Sequence, residues 1–259
     1  MINTFNEDKE SNFLLICDHA SNYIPTEYNG LGLSEAILNT HIAYDIGAKE
    51  VALNISKFLK CPLVMTNFSR LLIDANRGVD DPTLIMKISD NNVIEGNKNI
   101  SFQDNCDEKK KRIIFFYEAY HSKISDIINK AISKKVFPAI VSIHSFTSLW
   151  KGKKRSTDLG ILWDSDDRLP NIFFNYLNKN YKDMNIGNNI PYSGRMKNDT
   201  LYNHGTSKGL ANILIEIRQD LILDSKEQLR FSKLITKPLA DNINNTSLFR
   251  KKFYKSFAK

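Results

Sequence analysis

Residues 13–22 have the sequence FLLICDHASN, in which five apolar residues are followed at once by polar ones. An apolar run of this length is typical of a strand that is buried on both faces of a parallel sheet. In open α/β sheets, ligands bind beyond the carboxyl ends of such strands. The stretch therefore predicts a central strand over 13–17 whose end presents His19 to a functional site, with Asp18 as a possible support for the imidazole.

Short apolar runs alternate with helical patterns along the rest of the chain, and this alternation predicts one α/β domain with a largely parallel sheet. The domain is expected to span residues 1–259, with loose termini at 1–11 and about 247–259. A polar segment over 80–107 is predicted to be a long loop, and we expect it to cover the substrate. Further strands are predicted over 63–66, 139–143, 159–163 and 212–217, with weaker strand signals over 71–73 and 201–202, and helices over 35–38, 45–59, 113–131, 172–177 and 225–245.

Composition places the chain among soluble globular proteins. The hydrophobic fraction is 42%, and no apolar run approaches the roughly 18 residues that span a bilayer. The N-terminal residues lack a basic start followed by an apolar core, so no signal peptide is predicted. The three cysteines, Cys17, Cys61 and Cys106, are widely spaced and form no C-x-x-C motif. We therefore expect reduced thiols and a cytoplasmic location.

The formal net charge of +7 raises the question of a nucleic-acid partner. The basic residues are mostly lysines, and they are scattered apart from short groups at 109–112, 151–155 and 250–255. Such groups are usually solvent-exposed surface. The charge alone therefore does not predict nucleic-acid binding, and we expect none.

Two further strands carry polar residues that can join His19 in one site. His144 follows the apolar run 139–143, and Glu216 lies inside the apolar run 212–217. Because the carboxyl ends of parallel strands meet at one edge of a sheet, we expect the three side chains to converge. For Glu216 two interpretations remain open, namely a general base and a buried ion pair with an arginine.

His41 and Asp45 are four residues apart, so on a helix they would face the same way. This pair can bind a metal or orient a ligand, or it can form an exposed hydrogen bond. His121 follows an aromatic run at the edge of a predicted helix face, where packing and chemistry are both open.

Residues 69–77 place two arginines, Arg70 and Arg77, around an apolar triplet, with Asp74 and Asn76 beside them. An arginine binds a carboxylate with two parallel donors, and Asp74 can hold a guanidinium in place. The segment therefore indicates either a site for the substrate's carboxylate or a structural Arg–Asp pair.

Taken together, these motifs resemble the N-formylglutamate amidohydrolase family over residues 13–225. Several multi-residue motifs in one order make this resemblance specific. The matching residues are Asp18-His-Ala-Ser-Asn22 with Ile24-Pro25, Leu31-Gly-Leu33, His41-Ile-Ala-Tyr-Asp-Ile-Gly-Ala48, Ser69-Arg-Leu-Leu-Ile-Asp-Ala-Asn-Arg77, Tyr120-His121, His144-Ser145 and Glu216-Ile-Arg-Gln-Asp220.

The resemblance implies a three-layer α/β/α fold with a mostly parallel, mixed sheet, phosphorylase/hydrolase-like as in zinc carboxypeptidases. It also implies a zinc-dependent amidohydrolase that cleaves N-formyl-L-glutamate to formate and L-glutamate, late in one route of histidine degradation. Zinc would lower the pKa of a bound water to about 7 and polarise the amide carbonyl.

By the same resemblance, His19 and His144 are expected to bind the metal and Glu216 to act as general base and acid. The related zinc carboxypeptidases use H-x-x-E, but Asn22 stands here in place of the glutamate. The third ligand is therefore expected from elsewhere, with the His41–Asp45 pair preferred, Asp45 supplying the ligand, and His121 as another candidate. Substrate binding is assigned to Arg70, Asn76, Arg77, Asn22, His41 and His121.

Two other functions remain open at this point. The same fold can act on a different carboxylated amide, or the chain can be a catalytically silent binding protein with a basic surface. The expected partner is a small N-acyl amino acid, and the expected assembly is a monomer or a small homo-oligomer.

Overall fold

The computed structural model describes residues 2–100 and 106–259. The strands are β1 (Ile2–Phe5), β2 (Phe13–Cys17), β3 (Leu63–Thr66), β4 (Ile88–Ser89), β5 (Asn92–Val93), β6 (Ala139–Phe146), β7 (Leu149–Trp150), β8 (Lys153–Lys154), β9 (Leu159–Leu162), β10 (Ile186–Asn188) and β11 (Asn212–Arg218). The helices are α1 (Glu35–Leu38), α2 (Ala48–Leu59), α3 (Asp107–Arg112), α4 (Ala119–Ser133), α5 (Arg168–Asn180), α6 (Thr200–His204) and α7 (Ser225–Asp241). A π-helical turn, Ile113–Glu118, joins α3 to α4.

Seven of these strands form one mixed sheet in the order β1-β3-β2-β6-β11-β9-β10. The four central strands, β3, β2, β6 and β11, run parallel to one another, while β1 and the β9–β10 pair run the other way. The carboxyl ends of β2, β6 and β11 therefore lie side by side at one edge of the sheet. The two remaining strand pairs, β4–β5 and β7–β8, are short hairpins.

Both faces of the sheet are covered by helices. Because successive residues of a strand point to opposite faces, each central strand contributes side chains to two cores. Phe13 packs in a core on one face, together with residues of α2, α5 and α7 such as Phe231. Leu14 packs in a second core on the other face, together with α4 residues such as Ile124. The predicted three-layer α/β/α fold with a mostly parallel, mixed sheet is confirmed.

The predicted strands over 13–17 and 63–66 are confirmed, and those over 139–143, 159–163 and 212–217 are confirmed with end shifts of at most three residues. The predicted helices also form, although the helix expected from residue 45 begins at Ala48. The strand at the end of 139–143 continues to Phe146, so His144 lies inside β6 rather than after it.

Two weak strand predictions were wrong. Residues 71–73 form a turn, in which the amide of Leu72 donates to the carbonyl of Ser69, and the triplet is buried in the second core without strand pairing. Residues 201–202 lie in helix α6. Its N-cap, Asp199, accepts a hydrogen bond from the amide of Tyr202, a helix-starting signal that overrides the apolar run.

Both termini make hydrogen bonds to the rest of the domain. Residues 2–5 form β1, which pairs with β3 at the edge of the sheet. The C-terminal tail has no regular structure from residue 251, but the amide of Lys252 donates to Gly209 and that of Phe257 donates to Asp164. Long segments can be held against a domain by such backbone hydrogen bonds without forming helix or strand.

The segment 80–107 is largely a loop, as predicted. Its regular parts are the hairpin β4–β5, a 3-10 turn over Glu95–Asn97 and the first residue of α3, and residues 101–105 lie outside the described part. Asn97 anchors it, because its side-chain amide donates to the carbonyls of Leu71 and Met86 and its oxygen accepts from Arg112. In the described part of the chain, no helix is long and apolar enough to cross a bilayer.

Candidate active site

The strand ends bring His19, His144 and Glu216 to one place. His19 lies two residues beyond the end of β2, and β2 pairs directly with β6. In the register of β6 and β11, His144 lies opposite Glu216. The convergence expected from the sequence is therefore present, and it follows from the parallel pairing of three neighbouring strands.

Asp45 joins the two histidines to form a buried cluster. Its Oδ2 lies 2.8 Å from His144 Nδ1 and 3.4 Å from His19 Nδ1. The three candidate ligand atoms lie within 4.8 Å of one another. Two imidazole nitrogens and one carboxylate oxygen are a donor set that zinc binds in hydrolases, so this cluster can hold a metal ion.

The outer nitrogen of each imidazole is bonded to a second carboxylate. His19 Nε2 donates to Asp74 Oδ1 at 2.7 Å, and His144 Nε2 donates to Asp18 Oδ2 at 2.9 Å. Metal-binding histidines characteristically donate their other N–H to a carboxylate, which orients the ring and raises its basicity. The surroundings of the cluster thus agree with metal binding through Nδ1 of both rings.

Asp18 is held by four side chains, which come from three segments: α4, α6 and β6. Its Oδ1 accepts hydrogen bonds from Tyr120 and Thr200, and its Oδ2 accepts from Ser142 as well as His144. Burial by itself would raise the pKa of Asp18, but the hydrogen bonds from His144 and Thr200 and the charges of His144 and His19 lower it to about 2. Asp18 is therefore a buried anion that fixes the His144 ring.

Arg70 neutralises the other carboxylates. Its guanidinium lies 2.7 Å from Asp74 and 3.7 Å from Asp45. Burial would raise the pKa of Asp74, but the charge of Arg70 and the contact with His19 hold it well below its usual value. The predicted Arg–Asp pairing within 69–77 is therefore present, as a bridge between two buried anions.

Glu216 differs from these carboxylates. It is 6% exposed, and its Oε2 is buried without a hydrogen-bond partner among the described residues. Burial raises the pKa of Glu216 to about 7. Neither of the cavity arginines, Arg70 and Arg77, pairs with it, so the ion-pair interpretation left open by the sequence has no partner in the described structure.

One cavity of about 270 Å³ contains this cluster. Most of the residues assigned to the site from the sequence line it, namely His19, His41, Asp45, Arg70, Asn76, Arg77, His144 and Glu216. Met86 and Ser89 of the long loop also line it, so part of that loop borders the cavity.

Asn22 does not line the cavity. Its side-chain amide donates to the carbonyl of Leu38 and to the oxygen of Asn39, so it ties the turn after β2 to the end of α1. We therefore leave Asn22 out of the substrate site. Asp45 reaches the cluster instead, and it supplies the carboxylate that Asn22 cannot.

His121 lies outside the cavity lining as well. Its Nε2 donates to the carbonyl of Ala75, and its Nδ1 lies 2.8 Å from His204 Nε2. We leave His121 out of the substrate site and out of the metal ligands. Its contact with Ala75 holds the segment between Asp74 and Asn76 in place.

His41 and Asp45 do not lie on a helix, because residues 40–44 form turns. Both side chains nevertheless reach the cavity, and His41 Nε2 lies 3.6 Å from Asp90 at its edge. Burial lowers the pKa of His41. Of the pair, only Asp45 belongs to the candidate metal cluster.

Among the cavity residues that sequence reasoning did not assign are Asp199, Trp150 and Tyr192. Asp199 is the N-cap of α6, and burial raises its pKa to about 7. An aspartate before a short helix is a detectable cap signal, but its place in the cavity depends on how α6 packs. Trp150 and Tyr192 belong to a hairpin and a loop, where no periodic pattern points to a site.

The residues 11–223 match the family model of N-formylglutamate amidohydrolase, a match that spans most of the chain and contains every residue of the cluster. The chain belongs to this family. Membership places it among hydrolases that act on amides, and it agrees with the motif order along the sequence.

Two solved structures are similar to this chain along most of its length. A gene product of Agrobacterium tumefaciens is 31% identical, with a TM-score of 0.88 over 95% of this chain and 96% of that one. An N-formylglutamate amidohydrolase from Ralstonia eutropha JMP134 is 16% identical, with a TM-score of 0.70 over 95% and 98%, and at this identity it shows the fold alone. The comparison with curated proteins found no match.

Proposed function

We propose that the chain is a zinc-dependent amidohydrolase that cleaves N-acyl amino acids, most simply N-formyl-L-glutamate to formate and L-glutamate. The observation that carries this proposal is the cavity in which His19, Asp45 and His144 lie beside Glu216, a buried carboxylate with an unpartnered oxygen. Family membership supports the amide as the bond that is cleaved.

His19 Nδ1, His144 Nδ1 and an oxygen of Asp45 would hold the metal. When bound, zinc supplies a Lewis acid and a water of lowered pKa. Asp74 and Asp18 keep the two imidazoles oriented through their Nε2 atoms. Arg70 offsets the negative charge of Asp74 and Asp45, which makes a buried cluster of this many carboxylates tolerable.

Glu216 accepts the proton of the attacking water and later delivers a proton to the amine that leaves. Its Oε2 is free to do so because no other group occupies it among the described residues. Burial favours its protonated form, so the carboxyl is suited to hold the proton between the two steps.

Arg77 and Asn76 bind the carboxylate of the substrate. Both line the cavity, and Arg77 is held at its edge by Nη1 to the carbonyl of Asn76 and by Nε to Thr83. A guanidinium matches a carboxylate with parallel donors. His41 also lines the cavity and is assigned a supporting contact with the substrate.

The proposal includes a cytoplasmic location, a role in amino-acid metabolism such as histidine degradation, and a monomer or small homo-oligomer as the active form. The cytoplasmic location is supported by the three cysteines, Cys17, Cys61 and Cys106, which are free thiols.

Metal content and turnover test the proposal together. Purified protein is expected to contain about one zinc per chain and to release formate and glutamate from N-formyl-L-glutamate. His19→Ala and His144→Ala should lose both zinc and activity, while Glu27→Gln, at an exposed site, should keep both. Metal-free protein, or turnover that persists in the histidine variants, would contradict the metal site.

The alternative of a catalytically silent binding protein is separated by the same experiment. A protein that binds zinc but hydrolyses none of the N-formyl, N-acetyl, N-hexanoyl and N-benzoyl derivatives of L-glutamate would favour the silent alternative. The alternative of a different carboxylated amide is separated by comparing substrates with different acyl groups.

A further inference from the structure

Part of the cavity is lined by large apolar side chains, which we call the apolar wall. Leu162 and Leu214 form its floor as paired residues of β9 and β11, next to Glu216. The wall consists of Phe146, Trp150, Leu162, Tyr192, Met196 and Leu214. A formyl group and the two methylenes of a glutamate side chain offer little apolar surface for a wall of this size to bury.

Arg155 braces the aromatic members of the wall. The carbon of its guanidinium lies 5.4 Å from the ring centre of Phe146, 5.3 Å from Trp150 and 5.0 Å from Tyr192. It also donates a hydrogen bond to the hydroxyl of Tyr192 at 2.9 Å. Cation–π contacts of this kind restrain the rings, so the wall is formed before any ligand binds.

Two of these rings are left partly uncovered at the mouth of the cavity. Trp150 is 39% exposed and Tyr192 is 42% exposed. Exposed aromatic surface that rims a cavity with convergent polar groups is typical of a ligand site. The rings are therefore available to contact a group that extends out of the cavity.

The order of strands places the metal cluster between the floor of the wall, Leu162 and Leu214, and the strand that precedes the arginines. Arg70, Asn76 and Arg77 follow β3, on one side of β2 and β6, which position His19 and His144. Leu214 and Leu162 belong to β11 and β9, on the other side. A substrate whose carbonyl binds at the cluster and whose carboxylate binds at Arg77 must direct its acyl group toward the apolar wall.

We propose that this site hydrolyses N-acyl amino acids whose acyl group is large and apolar, aromatic or medium-chain aliphatic. The inference rests on the proposed amidohydrolase function and differs from it in the acyl group of the preferred substrate. Water adds to the acyl carbon, the C–N bond breaks, and the nitrogen leaves with a proton, giving the carboxylic acid and the free amino acid. Each methylene of the acyl group that becomes buried is expected to raise the binding affinity about fourfold.

A panel of N-acyl-L-glutamates tests the acyl preference on the wild-type zinc enzyme. Free glutamate is measured with N-formyl, N-acetyl, N-hexanoyl and N-benzoyl substrates at matched concentrations. We expect kcat/KM to rise at least about tenfold from formyl to hexanoyl or benzoyl. A formyl substrate that is equal or better overturns this inference and leaves the amidohydrolase proposal standing, whereas no hydrolysis of any member overturns both.

A second panel of substrates tests on which side of the scissile bond the apolar wall lies. With the formyl group held constant, glutamate is replaced by leucine or phenylalanine. The inference expects no gain from this change, because the wall lies on the acyl side. A gain here, with none in the first panel, would overturn the placement of the acyl group.

Variants of the wall test whether its residues set the preference. Tyr192→Ala is expected to lower the ratio of kcat/KM for benzoyl over formyl by about tenfold, and Tyr192→Phe should keep most of that ratio because the ring remains. Phe58→Ala, which removes an exposed aromatic ring on α2 outside the cavity lining, is the control and should leave the ratio unchanged. An unchanged ratio in Tyr192→Ala would contradict the role of the wall.

Discussion

Glu216 is the side chain whose replacement separates chemistry from metal binding. Glu216→Gln keeps the size of the residue but removes the proton acceptor, so kcat is expected to fall by about 10²- to 10⁴-fold. Zinc content should stay at the wild-type level, because Glu216 is not a member of the metal cluster. Steady-state kinetics and metal analysis of the same preparation check both halves, and activity within a few-fold of wild type would exclude the general-base role.

Asp74 is expected to act on the metal through His19. Asp74→Asn weakens the hydrogen bond that orients the imidazole, so zinc affinity should fall by about 10- to 100-fold. Titration against a competing chelator measures the affinity, and Asp126→Asn, at an exposed position of α4, is the matched control. Equal affinities in the two variants would show that the contact between Asp74 and His19 does not tune the site.

At the scale of elements, α4 and α6 meet through two stacked imidazoles. The rings of His121 and His204 lie 5.1 Å apart at an angle of 14°. Burial, with His121 beside it, lowers the pKa of His204 to about 3 from 6.5. His204 therefore stays neutral in the folded protein at pH values at which it is protonated in the unfolded chain. The contact between His121 and His204 makes the packing of α6 sensitive to acid.

The sign of this effect gives a pH prediction. The stability that neutral, buried His204 contributes is complete above pH 6.5 and is lost as the pH falls toward 3. The free energy of unfolding is expected to fall by about 3 kcal/mol between pH 6.5 and pH 4 for this reason. His204→Gln removes the titrating group, so its unfolding free energy should fall less over that range. Urea unfolding at pH 7 and pH 4 measures the difference, and identical losses in both proteins would contradict the prediction.

Element boundaries show where patterns in the sequence are informative. The central strands β2, β6 and β11 could be predicted because each is a short apolar run that ends in polar residues. Helix α6 could not, because Leu201 and Tyr202 look apolar in isolation while the Asp199 cap decides the local structure. The triplet 71–73 is equally apolar, but it is buried in a turn, and burial alone does not require a strand.

At the scale of the whole molecule, the candidate metal site joins separate parts of the chain. His19 follows β2, Asp45 precedes α2, and His144 lies in β6. A ligand set of this kind exists only in the folded state, so a bound metal stabilises the fold by mass action. Metal removal is therefore expected to act on stability as well as on activity.

Chelation measures that linkage. At a free metal concentration 100 times Kd, binding contributes about 2.7 kcal/mol, which corresponds to a fall in Tm of about 5 to 10 °C on metal removal. Thermal unfolding with and without chelator gives the shift, which added zinc should reverse. His144→Ala should show no shift, and an equal shift in that variant would place the stabilising metal elsewhere.

The sequence alone determined the layered α/β fold and the nature of the cavity residues, because apolar runs set the strands and polar residues at their ends had to meet at one edge of a parallel sheet. It also indicated His19, His144, Asp45 and Glu216. Only the tertiary structure decided that Asn22 lies outside the cavity and that Asp74 and Asp18 orient the histidines. The apolar wall likewise appears only in three dimensions. These contacts join residues far apart in the chain, and their distances depend on packing that no local pattern encodes.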